Sequence, residues 1–406
     1  MYRKIKYLID HKACLGCGLC VVKGKMVLSK DGFYHPSKDS IIDPKIKSYC
    51  PGYKIIQKKK KRRKEEILYG PFIPPVLVGH IKDENINYKA SSGGIITGLL
   101  ICLLKNKDVD SILQVCSSHK NPLLSKVVVS RTEEDVINCI GSRYAPCSLF
   151  ENFESSLKDA GRVAVVGKPC DIAALKAYMD IYPTKTKSIK YTLSMMCMGL
   201  PSQNATSELV SFLGEEEKNI TSLRYRGHGW PGYATIRNKK GEIKQCTYIQ
   251  SWGAILGRDT LFRCKVCPNG FGEFADITCG DGWFLKDGNE EPSFENKNKG
   301  RSLIFIRSEK GKKLVEKAFS QGLIETQEYN LDEIPLIQKS QYERKINFLG
   351  RFLIYKFLIN PKYQVKGFNL FRLSKIAGMH SILFDSRGFL GRWWRGYKGH
   401  ARKNRT

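Results

Sequence analysis

The chain has 406 residues, 42% of them hydrophobic, enough for two or three domains around a sizeable buried core. Its longest apolar run, near residues 95–104, is too short to span a bilayer, and its charged start is followed by no apolar stretch of a signal peptide, so a cytoplasmic chain is expected. A net charge of +29 and fourteen cysteines point to an anionic partner and to metal sites rather than disulfides.

The first element in chain order is a cysteine run, Cys14-Leu-Gly-Cys17-Gly-Leu-Cys20, followed at a distance by Cys50-Pro51. This C-x₂-C-x₂-C spacing wraps a backbone around a cubane iron–sulfur cluster, with the glycines allowing the tight turn. Two-cluster ferredoxins place a fourth Cys three residues on, where this chain has Gly24. Cys50 is then the fourth ligand of a single cluster. Zinc, which takes four thiolates in C-x₂-C pairs, is the alternative. Residues 1–56 thus read as a small ferredoxin-like domain, and residues 57–75 as a basic linker containing seven consecutive cations from Lys58 to Lys64.

From 76 to 330 strand-like and helix-like segments alternate, which predicts a larger α/β domain and an α+β or α/β fold overall. Strands are expected at Val76–Val78, Ile112–Val115, Val127–Ser130, Val163–Gly167 and Leu303–Arg307. Helices are expected at Gly94–Lys105 behind a Ser91-Ser92 cap, at Asp171–Met179 and at Gly311–Gly322.

This domain carries a second, scattered set of cysteines. Cys170 stands at a strand-to-helix turn, Cys197 at a strand end, and Cys264 and Cys267 form a C-x₂-C pair before Pro268. Ligands of open α/β sheets gather at such strand ends, so the four predict a second cubane or a structural zinc site. Cys147 and Cys279 are reserve ligands; Cys102, Cys116, Cys139 and Cys246 read as structural. Three small-residue turns, Ser91-Ser92-Gly93-Gly94, Gly141-Ser142-Arg143-Tyr144 and Gly167-Lys168, suit the phosphates of a dinucleotide, although each is also an ordinary turn. Trp283 offers a surface for stacking a planar ring and Asp281 a hydrogen-bonding carboxylate. Arg224, Arg226 and His228 read as a cationic wall toward an anionic substrate, or as surface cations beside a core Trp230.

In combination and order, these motifs resemble the beta subunit family of coenzyme F420 (deazaflavin) hydrogenases and dehydrogenases, over about residues 5–325. The added signatures are Cys170-Asp171-Ile-Ala-Ala-Leu-Lys176, Arg224-Tyr-Arg226-Gly-His-Gly-Trp230 and Asp276-Ile-Thr-Cys-Gly-Asp281-Gly-Trp283. The resemblance implies an iron–sulfur flavoprotein oxidoreductase with two 4Fe-4S clusters and FAD. It implies that Ser92, Gly93, Gly94, Ser142, Arg143, Tyr144, Gly167 and Lys168 line the flavin, and that Cys170, Cys197, Cys264 and Cys267 hold the second cluster. Its expected partners are an electron-donor protein or reductant and a small-molecule acceptor. The family more often has Gln where Asp171 stands, His where Met198 stands and Lys where Arg226 stands. A flavin takes electrons singly and releases a pair, so cluster plus flavin is the minimal converter between the two modes.

The last element, 331–406, is expected to be a basic helical tail. From Arg351 onward thirteen Lys and Arg stand against one acid, Asp385, and interleave with Phe, Tyr and Trp. Such segments settle at a membrane interface, where each cation near an anionic leaflet contributes roughly 1 kcal/mol. An anionic membrane surface is therefore one expected partner, with the inner face of the membrane an alternative location; the other reading is a C-terminal helix docked on the core through its aromatics, followed by a cationic end. No recognised nucleic-acid motif accompanies the charge, so nucleic acid is not an expected partner.

Overall fold

Unbroken apolar runs become the middle of one mixed sheet in the computed structural model, which describes residues 2–58, 62–286, 291–295 and 299–403, with side chains as far as Trp394. The centre of the seven-cation run and the final residues of the tail lie outside that description. Eight strands form the sheet: β1 Leu77–Ile81, β2 Ser111–Ser117, β3 Ser125–Ser130, β4 Val163–Gly167, β5 Ile189–Met195, β6 Ile277–Asp281, β7 Ser302–Ile306 and β8 Ile324–Glu328. Their order is β8-β1-β7-β6-β5-β4-β2-β3. The four central strands β6, β5, β4 and β2 are parallel; β3 on one side and β7, β1 and β8 on the other pair antiparallel with their neighbours.

β4 shows why the sheet needs cover on both faces. Its side chains alternate, so Val163 and Val165 enter one core while Ala164 and Val166 enter the other. On the second face lie helices α1 (Ile95–Lys105) and α4 (Glu309–Ser320), whose Leu99, Leu103 and Leu314 meet Leu193 and Ile304. On the first face lie α2 (Pro169–Ile181) and the N-terminal segment, where Ile5, Leu8, Ile42 and Ile46 are buried in one cluster with Val165, Ile172 and Leu175. Each such side chain stabilises the contact by roughly 1.5–3 kcal/mol. The cysteine-bearing N-terminal residues and the sheet therefore share one core.

The connection from β5 to β6 is long and carries its own small core. It contains α3 (Gln203–Phe212), a three-stranded antiparallel sheet of Ile220–Arg224, Ala234–Asn238 and Ile243–Cys246, a π-helical turn at Ile249–Leu256 and a 3-10 turn at Phe262–Val266. Leu209, Leu223, Ile236 and Leu256 pack together there.

After β8 the chain forms α5 (Lys339–Ile346), α6 (Phe348–Ile354), α7 (Leu370–Ala377) and α8 (Met379–Lys403). Between α6 and α7 a short strand, Gln364–Lys366, pairs in parallel with Lys54–Ile56. Tyr7 donates to Asn360 Oδ1 at 2.8 Å. Phe348, Phe352, Tyr355, Tyr363, Phe368 and Phe389 are buried with Ile55 and Val266. The aromatic residues of the basic segment thus divide into an inward set, which closes over both cysteine-bearing regions, and an outward set.

Candidate functional site

Cys14, Cys17 and Cys20 lie on the loop that follows the N-terminal helix Tyr2–Asp10, and Cys50 caps the short helix Ile46–Tyr49. Gly16 and Gly18 have positive φ of 68° and 84°. A Cβ on Gly18 would meet the Glu151 amide nitrogen at 2.8 Å, so the loop presses against the chain near α2 too closely for any side chain. Burial pushes the Cys50 thiol up to about 12, with Cys14 adding to the rise. Burial also raises Cys17 and Cys20, and the other three cysteines of the set raise Cys20 further. Thiols such as Cys17, Cys20 and Cys50, whose ionisation burial and neighbouring cysteines disfavour, are held as thiolates by a cationic centre.

The second set converges as the strand-end rule predicts. Cys170 lies in the first turn of α2, Cys197 follows β5, and Cys264 and Cys267 flank the end of the 3-10 turn. Burial pushes Cys197 up to about 12, and Cys264 and Cys267 are its next causes. The Leu200 amide donates to Cys264 Sγ at 3.4 Å. Among the described residues no group of His, Cys, Asp or Glu is drawn together tightly enough for a single metal ion. A four-iron cluster instead takes each thiolate on a different iron, so its ligands stand farther apart.

Buried cations surround the second set. Arg344 donates to the carbonyls of Met198 and Cys264, and Lys345 donates to Pro268 O at 2.7 Å and pairs with Glu273. Arg263 is 1% exposed; it donates to Val266 O at 2.6 Å, to Pro51 O at 3.0 Å and to the Tyr363 hydroxyl. One guanidinium therefore ties the loop of Cys264 and Cys267 to the residue after Cys50. Leu15 completes the contact, packing in one cluster with Cys170 and Cys264. None of the three cations is marked by the sequence: Arg344 and Lys345 are remote from every cysteine, and an Arg beside a cysteine looks the same whether it is paired or solvated. Arg263, directly before the C-x₂-C pair, was the findable one.

Above the second set opens a cavity of about 340 Å³, within the roughly 300–1,000 Å³ usual for small-molecule sites. Ser92, Gly94, Ser142, Arg143, Tyr144, Gly167, Lys168, Arg226 and Asp281 line it, and so does Cys197. Gly93 and Trp283 do not. The Gly93 amide donates to Ser302 Oγ, and a Cβ there would meet Gly79 O at 2.5 Å, so this glycine serves the packing of α1's start on the sheet. Trp283 stacks on Trp230 at 4.7 Å. Arg224 bonds Thr235, and the exposed His228, in a loop with φ of 57°, lies by Tyr88. The chain leaves its strand at Arg224, which breaks the alternation that would have placed all three cations on one wall.

Arg226 is the cation that reaches the cavity. It donates to Asp281 Oδ2 at 2.9 Å, to the Tyr144 hydroxyl at 3.3 Å and to Pro231 O, and it lies over the rings of Tyr248 and Trp283. Its remaining Nη2 is buried without a partner, a donor left for an anionic or carbonyl-bearing ligand. Lys168 pairs with Asp171 at 2.6 Å; burial opposes its charge, but Asp171 and then Cys170 raise its pKa above the ordinary value. Arg143 spends its guanidinium on Leu223, Pro122 and Leu124 carbonyls and on Ser125, which fixes the turn rather than offering a free charge. Cys147, Cys139 and Cys279 also border the cavity, and the neighbouring Cys139 holds the Cys116 thiol below its ordinary value.

Two family models match adjacent stretches of the chain. The coenzyme F420 hydrogenase/dehydrogenase beta subunit N-terminal region matches residues 76–153, and the C-terminal region of the same subunit matches 160–332. The chain belongs to this family. It is 27% identical over 290 residues to the coenzyme F420 hydrogenase subunit beta of Methanococcus voltae, covering 65% of this chain and 88% of that one. It is 22% identical over 369 residues to the coenzyme F420-dependent sulfite reductase of Methanocaldococcus jannaschii, covering 84% of this chain and 51% of the relative. A chain of the F420-reducing [NiFe] hydrogenase complex of Methanosarcina barkeri has the same fold, with a TM-score of 0.51 at 19% identity over 70% of this chain and 94% of that one. The relatives are oxidoreductase subunits, and membership of the family makes this an electron-transfer oxidoreductase chain. The family match stops at 332, so Arg344, Lys345 and helices α5 to α8 lie beyond it.

Proposed function

We propose that the chain is an iron–sulfur flavoprotein that receives electrons at Cys14, Cys17, Cys20 and Cys50 and delivers them to a small-molecule acceptor in the cavity. Cys170, Cys197, Cys264 and Cys267 hold a second 4Fe-4S cluster between the two, and FAD occupies the cavity. The observation that carries this reading is the double position of Cys197, which belongs to the second cysteine set and also lines the cavity. The bound flavin supplies the conversion between single electrons and a two-electron acceptor. The chain's own residues supply the rest. Arg226, oriented by Asp281 and Tyr144, presents Nη2 to an electron-rich edge of the ligand; the backbone turns at Ser92, Ser142 and Gly167 approach its polar groups; Arg263, Arg344 and Lys345 offset negative charge on the thiolate centre. Anaerobically purified chain is expected to carry about eight irons and one FAD, and coenzyme F420, named in the relatives' activities, heads the panel of acceptors to assay. Purification with zinc alone and no flavin overturns the assignment.

The structural neighbour belongs to a multisubunit hydrogenase complex, and this favours a second reading, in which the chain passes electrons within a larger assembly. Rapid flavin reduction by a partner without turnover of any free substrate distinguishes it.

A further inference from the structure

Helix α8 breaks the usual division of a surface helix. Ile382 and Phe389 face inward and are buried, as a docked amphipathic helix requires. Leu383 and Phe384, however, stand on the opposite face, with Phe384 76% exposed. The same inversion recurs on α7, which packs beside it, and in the turn that continues α6, the other helix packed beside it. On α7, Leu373 is buried while Phe371 is 78% exposed, and in the turn after α6 Tyr355 is buried while Phe357 is 72% exposed. Large apolar groups left in water on three neighbouring elements mark an interaction surface.

Charge selects the occupant. The exposed apolar residues alternate with Lys356, Arg372, Lys375 and Arg387. Between 351 and 394 the one acid is Asp385, and its carboxylate is engaged by Arg351. Residues 351–394 therefore present cations and apolar rings with no free carboxylate of their own, an exposed acid on a packed element being Glu343 of α5. A second copy of this chain would bring the same cations against them and be repelled. Protein interfaces are depleted of lysine at their cores. A lipid surface takes both components at once, rings and aliphatic side chains into the acyl boundary and cations onto anionic headgroups. We infer that this face seats the chain peripherally on an anionic bilayer. No helix among the described residues is long and apolar enough to cross a membrane, so the contact is interfacial. The inference does not depend on what occupies the cysteine sets or the cavity.

The test is flotation of the full chain with phosphatidylcholine vesicles, with and without about one third phosphatidylglycerol, at low and high salt. Recovery with the anionic vesicles alone, released by salt, is expected. Phe371→Ser with Phe384→Ser, and separately Lys375→Glu with Arg387→Glu, are each expected to lower the partition about tenfold or more. These side chains are exposed, so circular dichroism and thermal midpoint are expected to stay at wild-type values. Failure to float, as a protein occupant predicts, equal recovery on neutral vesicles, or wild-type partition of both double variants overturns the inference.

Discussion

Replacing Arg263 with Met tests whether the two cysteine regions are stapled together. The methionine keeps most of the aliphatic stem but removes donors to Pro51 O, Val266 O and the Tyr363 hydroxyl, all in the interior. Hydrogen bonds from a charged group contribute about 1.5–3 kcal/mol each. Removing the guanidinium also removes its own desolvation cost, so a net loss of roughly 3–5 kcal/mol is expected. At about 2–4 °C per kcal/mol for chains somewhat smaller than this one, the thermal midpoint falls on the order of 10 °C. A cation beside a thiolate-bound centre favours its more negative, reduced state, so a protein carrying the two proposed clusters is expected to show both potentials shifted downward. Arg263→Lys keeps the charge but loses the fork, so it retains the potentials better than the stability. Calorimetry on the three proteins, with redox titration followed by electron paramagnetic resonance, separates the two effects. A midpoint within about 2 °C of wild type together with unchanged potentials refutes the staple.

Three further outcomes follow from the site. Cys197→Ser is expected to lower the iron content from about eight to about four per chain while the flavin is retained, and full iron content in the variant removes Cys197 from the ligand set. Asp281→Asn leaves Arg226 buried without its counter-charge; it is expected to cost about 3–5 kcal/mol by denaturant titration, and restoration by Arg226→Met in the double variant shows that the lost pair is the cause. Burial works against ionisation of Asp276, yet Lys176, Lys310 and Thr192 hold its carboxyl below the usual value. A depressed carboxyl contributes stability above its unfolded pKa of about 3.9 and loses it as pH falls further; Asp276→Asn is expected to flatten the acid limb of the stability profile, and an unchanged limb refutes the assignment.

The strands legible in sequence were those with unbroken apolar runs, such as β4, whose neighbours on both faces demand them. β6 escaped because Thr278, Gly280 and Asp281 dilute its pattern; there Thr278 receives Arg307 on one face while Ile277 and Cys279 enter the core on the other. The places of the cysteines and of most of the small-residue turns could be read, since C-x₂-C spacing and glycine-bearing turns are local patterns. Trp283 could not be placed, because a tryptophan that stacks on another tryptophan has the same local sequence as one that stacks on a ligand. Arg344 and Lys345 lie far from the cysteines in sequence, and only the fold of the last helices brings them there.

The parallel pairing of Gln364–Lys366 with Lys54–Ile56 has a consequence for biosynthesis. Translation proceeds at about 5–20 residues per second, so the early strand waits roughly 15–60 s for its partner to be made. Throughout that interval the first cysteine loop is on the growing chain without Tyr363, Asn360 or the helices that later cover it. For the proposed cluster, the loop is then most open to whatever would deliver iron and sulfide, before the late strand pairs beside Cys50. Permuting the chain so that the late segment is translated first would reverse that order, making the cover form before the site it encloses.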